Sequence, residues 1–112
     1  DRAMDAGITI ALSSDILPIG PMVGLYAATT RKGMSGKVYG PEEAITIEEA
    51  LRGYTLTSAF INFDEDIKGS LEPGKYADMI VLPADILTVS AEELMELDVT
   101  HTYMQGELVY ER

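Results

Sequence analysis

Three polar side chains, Ser13, Ser14 and Asp15, follow a run of buried character from Ile8 to Leu12. The run reads as a strand. A carboxylate at the end of such a strand lies where parallel α/β architectures place their chemistry. Equally, Asp is a common opener of turns. The Ile-Leu-Pro-Ile-Gly-Pro that follows cannot continue a strand, because Pro18 and Pro21 lack the N–H that a ladder requires. On paper Ser13 or Ser14 could join Asp15 and His101 in a nucleophilic triad. No glycine elbow flanks the serines, however, and neighbours along a strand point to opposite faces.

Other chemistries find less support. A hydrolytic metal site needs several His, Asp or Glu donors to replace an ion's water shell, and this chain has one histidine, His101. That residue falls among threonines and a tyrosine, a pattern typical of a half-exposed structural side chain. The acidic pairs and runs at Glu42-Glu43, Asp64 to Asp66 and Glu92-Glu93 lack the spacing and glycine of a calcium loop. No phosphate-binding glycine loop joins a strand to a helix. Without cysteine, thiol catalysis, disulfides and thiolate zinc sites are excluded. From the residues alone, Asp15 is the one candidate.

The elements that must carry it are read from pattern. Ala3, Met4 and Ala6 form the end of a helix closed by Gly7. A short helix covers about Met22 to Thr30, with Pro21 in its first turn and Arg31 and Lys32 complementing its C-terminal dipole. A glycine-rich loop runs from Gly33 to Pro41. Thr46 and Glu49 form a capping box, and Ile47, Ala50, Leu51, Tyr54, Ser58 and Ile61 then mark one face of a helix ending near Asn62. Pro73 and Gly74 satisfy the two central positions of a type II turn. A strand follows over Met79 to Leu82, then a second capping box at Ser90 and Glu93 for a helix over Ala91 to Leu97. Val99 to Met104 and Glu107 to Tyr110 close the chain as a hairpin around Gln105-Gly106.

At 112 residues the chain has the length of one domain, and 46% of it is hydrophobic, enough for a real core. A net charge of −11 argues against nucleic acid, whose phosphates it would repel, and against anionic membrane surfaces. No apolar run reaches the length of a membrane span and no signal peptide opens the sequence; a cytoplasmic location is the default expectation. The chain enters on the last turn of a helix and combines a βα unit with antiparallel strands. Both features suggest a piece of a longer protein.

Three stretches carry a resemblance. Ile10 to Asp15 with Pro18 and the run Pro21 to Arg31, then Ile45 to Thr55 with Ser58-Ala59, then Gly69 to Leu82 resemble, in that order, the C-terminal part of the amidohydrolase superfamily, and most of all its type-3 branch. Gly69-Ser70-Leu71-Glu72-Pro73-Gly74-Lys75-Tyr76-Ala77-Asp78 is the most specific of them. The closing hairpin is similar to the last two strands of the family's flanking β-domain. The resemblance implies an α/β fragment: residues 1–68 as the last βα unit of a (β/α)8 barrel, and residues 69–112 as part of a small flanking antiparallel β-domain. It further implies a parent enzyme that hydrolyses non-peptide C–N bonds in small molecules of the amide, formamide or cyclic amide class, with a divalent metal, zinc by preference.

In the family the aspartate ending the eighth strand binds that metal and takes the proton from the hydrolytic water. Asp15 is the matching position. The family's His-x-His pair, bridging residue and other strand-end histidines have no counterparts here, so the isolated chain is expected to bind no metal and to be inactive. The orphaned strand, exposed on both edges, would favour self-association. A non-catalytic structural or self-associating domain is the alternative reading.

Overall fold

The computed structural model describes residues 2–15 and 20–112. Its elements fall into a helical layer and a small antiparallel sheet. In chain order they are α1 (Arg2–Asp5), α2 (Pro21–Thr30), a 3-10 turn (Pro41–Glu43), α3 (Ile47–Tyr54), α4 (Leu56–Ile61), β1 (Met79–Val81), α5 (Ala91–Leu94), β2 (His101–Met104) and β3 (Glu107–Glu111).

Local signals act where the sequence places them. Gly7, at φ 76°, ends α1 in a paired arrangement: its own N–H reaches Met4 O and that of Ile8 reaches Ala3 O. This satisfies carbonyls that a helix end otherwise leaves bare. The Thr46 hydroxyl accepts from the Glu49 N–H while the Glu49 carboxylate accepts from the Thr46 N–H at 2.7 Å, and Ser90 and Glu93 repeat the exchange. These bonds, first of all the one from the Thr46 backbone, hold the Glu49 carboxyl below its ordinary range. The Ser90 hydroxyl and N–H do the same for Glu93.

The core lies in the helical layer. Leu25 of α2, Ala50 of α3 and Leu94 of α5 are buried against one another, ringed by residues such as Leu12, Ile47, Leu51, Ile86 and Val89. A residue from the C-terminal third of the chain thus completes a core begun by α2 and α3. The sheet has the order β1-β2-β3, with Met79 opposite Tyr103 and Met104 opposite Glu107. A bulge between Thr102 and Tyr103 skips Val109, and the β2–β3 turn places Gln105 and Gly106 at φ 52° and 84°. That pair of positive angles suits the right-handed twist of a two-residue hairpin.

Three expectations need correction. First, Ile8 to Leu12 forms no strand: the segment is extended, Ile8 is 59% exposed, and its backbone bond to α3 is Leu12 N–H to Gly53 O, at 3.0 Å. A parallel strand draws its hydrogen bonds from neighbouring strands, and among the described residues none runs beside it. Second, the helix over 47–61 is broken at Thr55, whose φ and ψ of −118° and −87° leave helical space while its hydroxyl donates back to Leu51 O at 2.7 Å. Third, α5 ends at Leu94 and continues only as turns to Leu97. The Gly33–Pro41 loop, as expected without regular structure of any length, carries an isolated bridge between Lys32 and Val38.

Candidate functional site

Asp15 sits at the end of the extended segment, and the residues just before it are gripped one after another by the helices. The Leu12 N–H donates to Gly53 O, and Leu12 O accepts from Ser58 Oγ at 3.4 Å. Ser13 O accepts from the Tyr54 hydroxyl at 3.4 Å, and Ser14 Oγ lies 3.5 Å from the same hydroxyl and donates to Gly20 O at 3.3 Å. Three consecutive residues are therefore held by Gly53, Tyr54 and Ser58.

Two glycines make that approach possible. At Gly53 an added Cβ would stand 2.8 Å from Leu12 Cγ, so the extended chain lies directly on the helix there. At Gly24 an added Cβ would collide with the Tyr54 phenol. The absence of a side chain at Gly24 on α2 opens the channel through which Tyr54 reaches from α3 to Ser13. Glycine in a helix interior costs roughly 1 kcal/mol relative to alanine, and here the close approach accounts for its use.

Asp15 itself is exposed, and its carboxylate has no hydrogen-bond or ion-pair partner among the described residues. His101 is not brought to it: the imidazole lies on β2, with Nδ1 3.0 Å from Thr100 Oγ1, Nε2 3.6 Å from Glu111, and its ring stacked on Tyr103. Ser14 likewise bonds to Gly20 and Tyr54 rather than to a histidine, so no nucleophilic triad is assembled. Asp15 offers a hard oxygen donor suited to a divalent ion. Yet among the described residues no group of three or more His, Asp or Glu could hold one. One carboxylate does not complete the coordination of such an ion, so these residues alone do not fit a metal.

Beside the segment, an open cleft of about 950 Å³ separates the helical layer from the sheet. Ser13, Ser14, Tyr54 and Ser58 line one side, Met79, Thr102 and Tyr103 the other. Tyr54 and Ser58 were legible as members of the apolar face of α3 and α4. Their polar ends, carried on that face, were the signal that it meets backbone as well as core.

The family comparison decides what this arrangement belongs to: residues 1–110 match the model of the amidohydrolase family. The chain belongs to the amidohydrolase family, in its type-3 branch. It is 40% identical over 112 residues to an N-substituted formamide deformylase of Arthrobacter pascens, covering 97% of this chain and 20% of that protein. It is 30% identical to an imidazolonepropionase of Porphyromonas gingivalis, over 97% of this chain and 24% of the relative. The crystal structure of an amidohydrolase from Thermotoga maritima superposes with a TM-score of 0.68 at 27% identity, over 99% of this chain and 25% of that one. The chain thus spans about a fifth to a quarter of the length of these amidohydrolase relatives. No helix among the described residues is long and apolar enough to cross a membrane.

Proposed function

We propose that this chain is the C-terminal part of a metal-dependent amidohydrolase that cleaves non-peptide C–N bonds in small molecules, and that it is inactive by itself. The observation that carries the reading is the 40% identity to a formamide deformylase along nearly the whole chain, against a fifth of that protein's length. In this reading residues 1–68 are the last βα portion of a (β/α)8 barrel, and residues 69–112 belong to a flanking β-domain. The unpaired, extended Ile8–Leu12 segment is then the final barrel strand without its neighbours, and Asp15 stands at its C-terminal end, where that fold carries its active sites.

A divalent ion, zinc by preference, would supply Lewis-acid chemistry, with Asp15 one ligand and the others drawn from the four-fifths of the relatives' length not spanned here. The part of Asp15 is to accept a proton from the attacking water as the C–N bond is broken, a role that its exposed carboxylate permits. Substrates of the amide, formamide or cyclic amide class belong to this reading, and the names of the formamide deformylase and imidazolonepropionase relatives support it.

A second reading, a self-associating module without catalysis, draws on the apolar side chains left at the surface, with Phe63 92% and Met34 88% exposed. One preparation separates the two. The 112-residue chain, supplied with zinc and an N-substituted formamide, is expected to release no formate; turnover would overturn the proposal. Elution of that sample as a discrete dimer would favour the module.

A further inference from the structure

We propose that Tyr54 is a positioning residue for Asp15, acting through its hydroxyl on the backbone that precedes the carboxylate. The inference rests on the reading of Asp15 given above and adds a residue to its site.

Four observations converge on it. The Tyr54 hydroxyl is within hydrogen-bond reach of two consecutive residues, Ser13 and Ser14, that lead directly into Asp15. Gly24 on the neighbouring helix leaves the space that the phenol crosses. Helices α3 and α4 hold Leu12 at both of its backbone groups, through Gly53 O and Ser58 Oγ. Finally, Asp15 has no partner of its own among the described residues, so the helices described act on its placement through the backbone of residues 12–14.

The energetic logic is that of preorganisation. A side chain that must meet a reacting atom loses rate steeply when displaced by about 1 Å. A carboxylate on an untethered segment would sample many such positions. Tyr54 and Ser58 limit them by anchoring residues 12–14 to the helical layer, which holds the core. Tyr54→Phe removes the hydroxyl and leaves the ring in its channel, so it separates positioning from packing.

The test uses the full-length enzyme that carries this segment, with Asp15→Asn, Tyr54→Phe and Ser58→Ala compared to the unmodified protein. Tyr54→Phe is expected to lower kcat about tenfold with KM changed less than about twofold, the range seen when an outer support of a catalytic group is lost. Ser58→Ala should show the same split more weakly. In the 112-residue chain, Tyr54→Phe should speed hydrogen exchange at the Leu12 amide while leaving the amides of Leu25 and Ala50 unchanged. An inactive Asp15→Asn beside Tyr54→Phe and Ser58→Ala variants of unchanged kcat would overturn the positioning role alone. A fully active Asp15→Asn would overturn the reading of Asp15, and the role of Tyr54 with it. Should Tyr54→Phe not fold, the Ser58→Ala kinetics and the Leu12 exchange rate in that variant decide the matter.

Discussion

The helical layer and the sheet are built on different principles. In the helices, order comes from burial: Leu25 is 1% exposed and Ala50 fully covered, and α2, α3 and α5 meet on these residues and Leu94. None of the three strands contains a buried residue, and every residue of β3 is exposed. Its register is set instead by a turn, Gln105-Gly106, by the Gln105 N–H bond to the Asp78 carboxylate at 2.8 Å, and by the pairing of Arg112 with Asp98. The lesson concerns placement. The segment bearing Asp15 is fastened to the buried layer, so the candidate site inherits rigidity from the core.

The sharpest way to break this contrast is to cut into each region equally. Leu25→Ala should cost about 3 kcal/mol of unfolding free energy, a typical loss for a fully buried leucine. Val109→Ala on β3 should cost about 0.5 kcal/mol or less, as surface substitutions do. Denaturant unfolding followed by circular dichroism checks both, and equal losses would show that the sheet shares the core.

Gly24→Ala comes next, at about 2 kcal/mol, because the new methyl group must displace the Tyr54 phenol. The same melt should show no loss if Tyr54 turns aside at no cost, and that would remove the argument for a purposeful channel.

The smallest effect is one of pH. Glu49 and Glu93 are held below the ordinary carboxylate value by their capping bonds, so the unfolded chain binds protons more readily than the folded one. Their contribution is complete above that ordinary value of 4.5 and is lost as pH falls through the lower folded values. Helical signal should weaken over that acid window. Glu49→Gln with Glu93→Gln should flatten the dependence while keeping the reciprocal bonds in neutral form, and an unchanged acid profile would mean that the caps do not set it.

How much of this was legible beforehand follows from where each signal resides. The two capping boxes, the Gly7 cap, the Pro73-Gly74 turn and the Gln105-Gly106 hairpin are each encoded within a few residues, and each stands where expected. The strand at Ile8 to Leu12 failed because a strand's hydrogen bonds belong to its neighbours, which no local pattern supplies. The break at Thr55 was hidden because the apolar spacing continues from Tyr54 through Ser58 to Ile61 across it. Asp15 could be singled out from its position, but the grip on residues 12–14 needed the structure: it depends on Gly24 and Gly53, whose missing side chains are informative only once the helices are packed.

The most direct test of the central claim is Asp15→Asn in the full-length enzyme, assayed for hydrolysis of an N-substituted formamide alongside the unmodified protein at equal folded concentration. Asparagine keeps the size and removes the proton acceptor, so the account expects kcat to fall by about a hundredfold or more. Activity within a few-fold of the unmodified enzyme would contradict it.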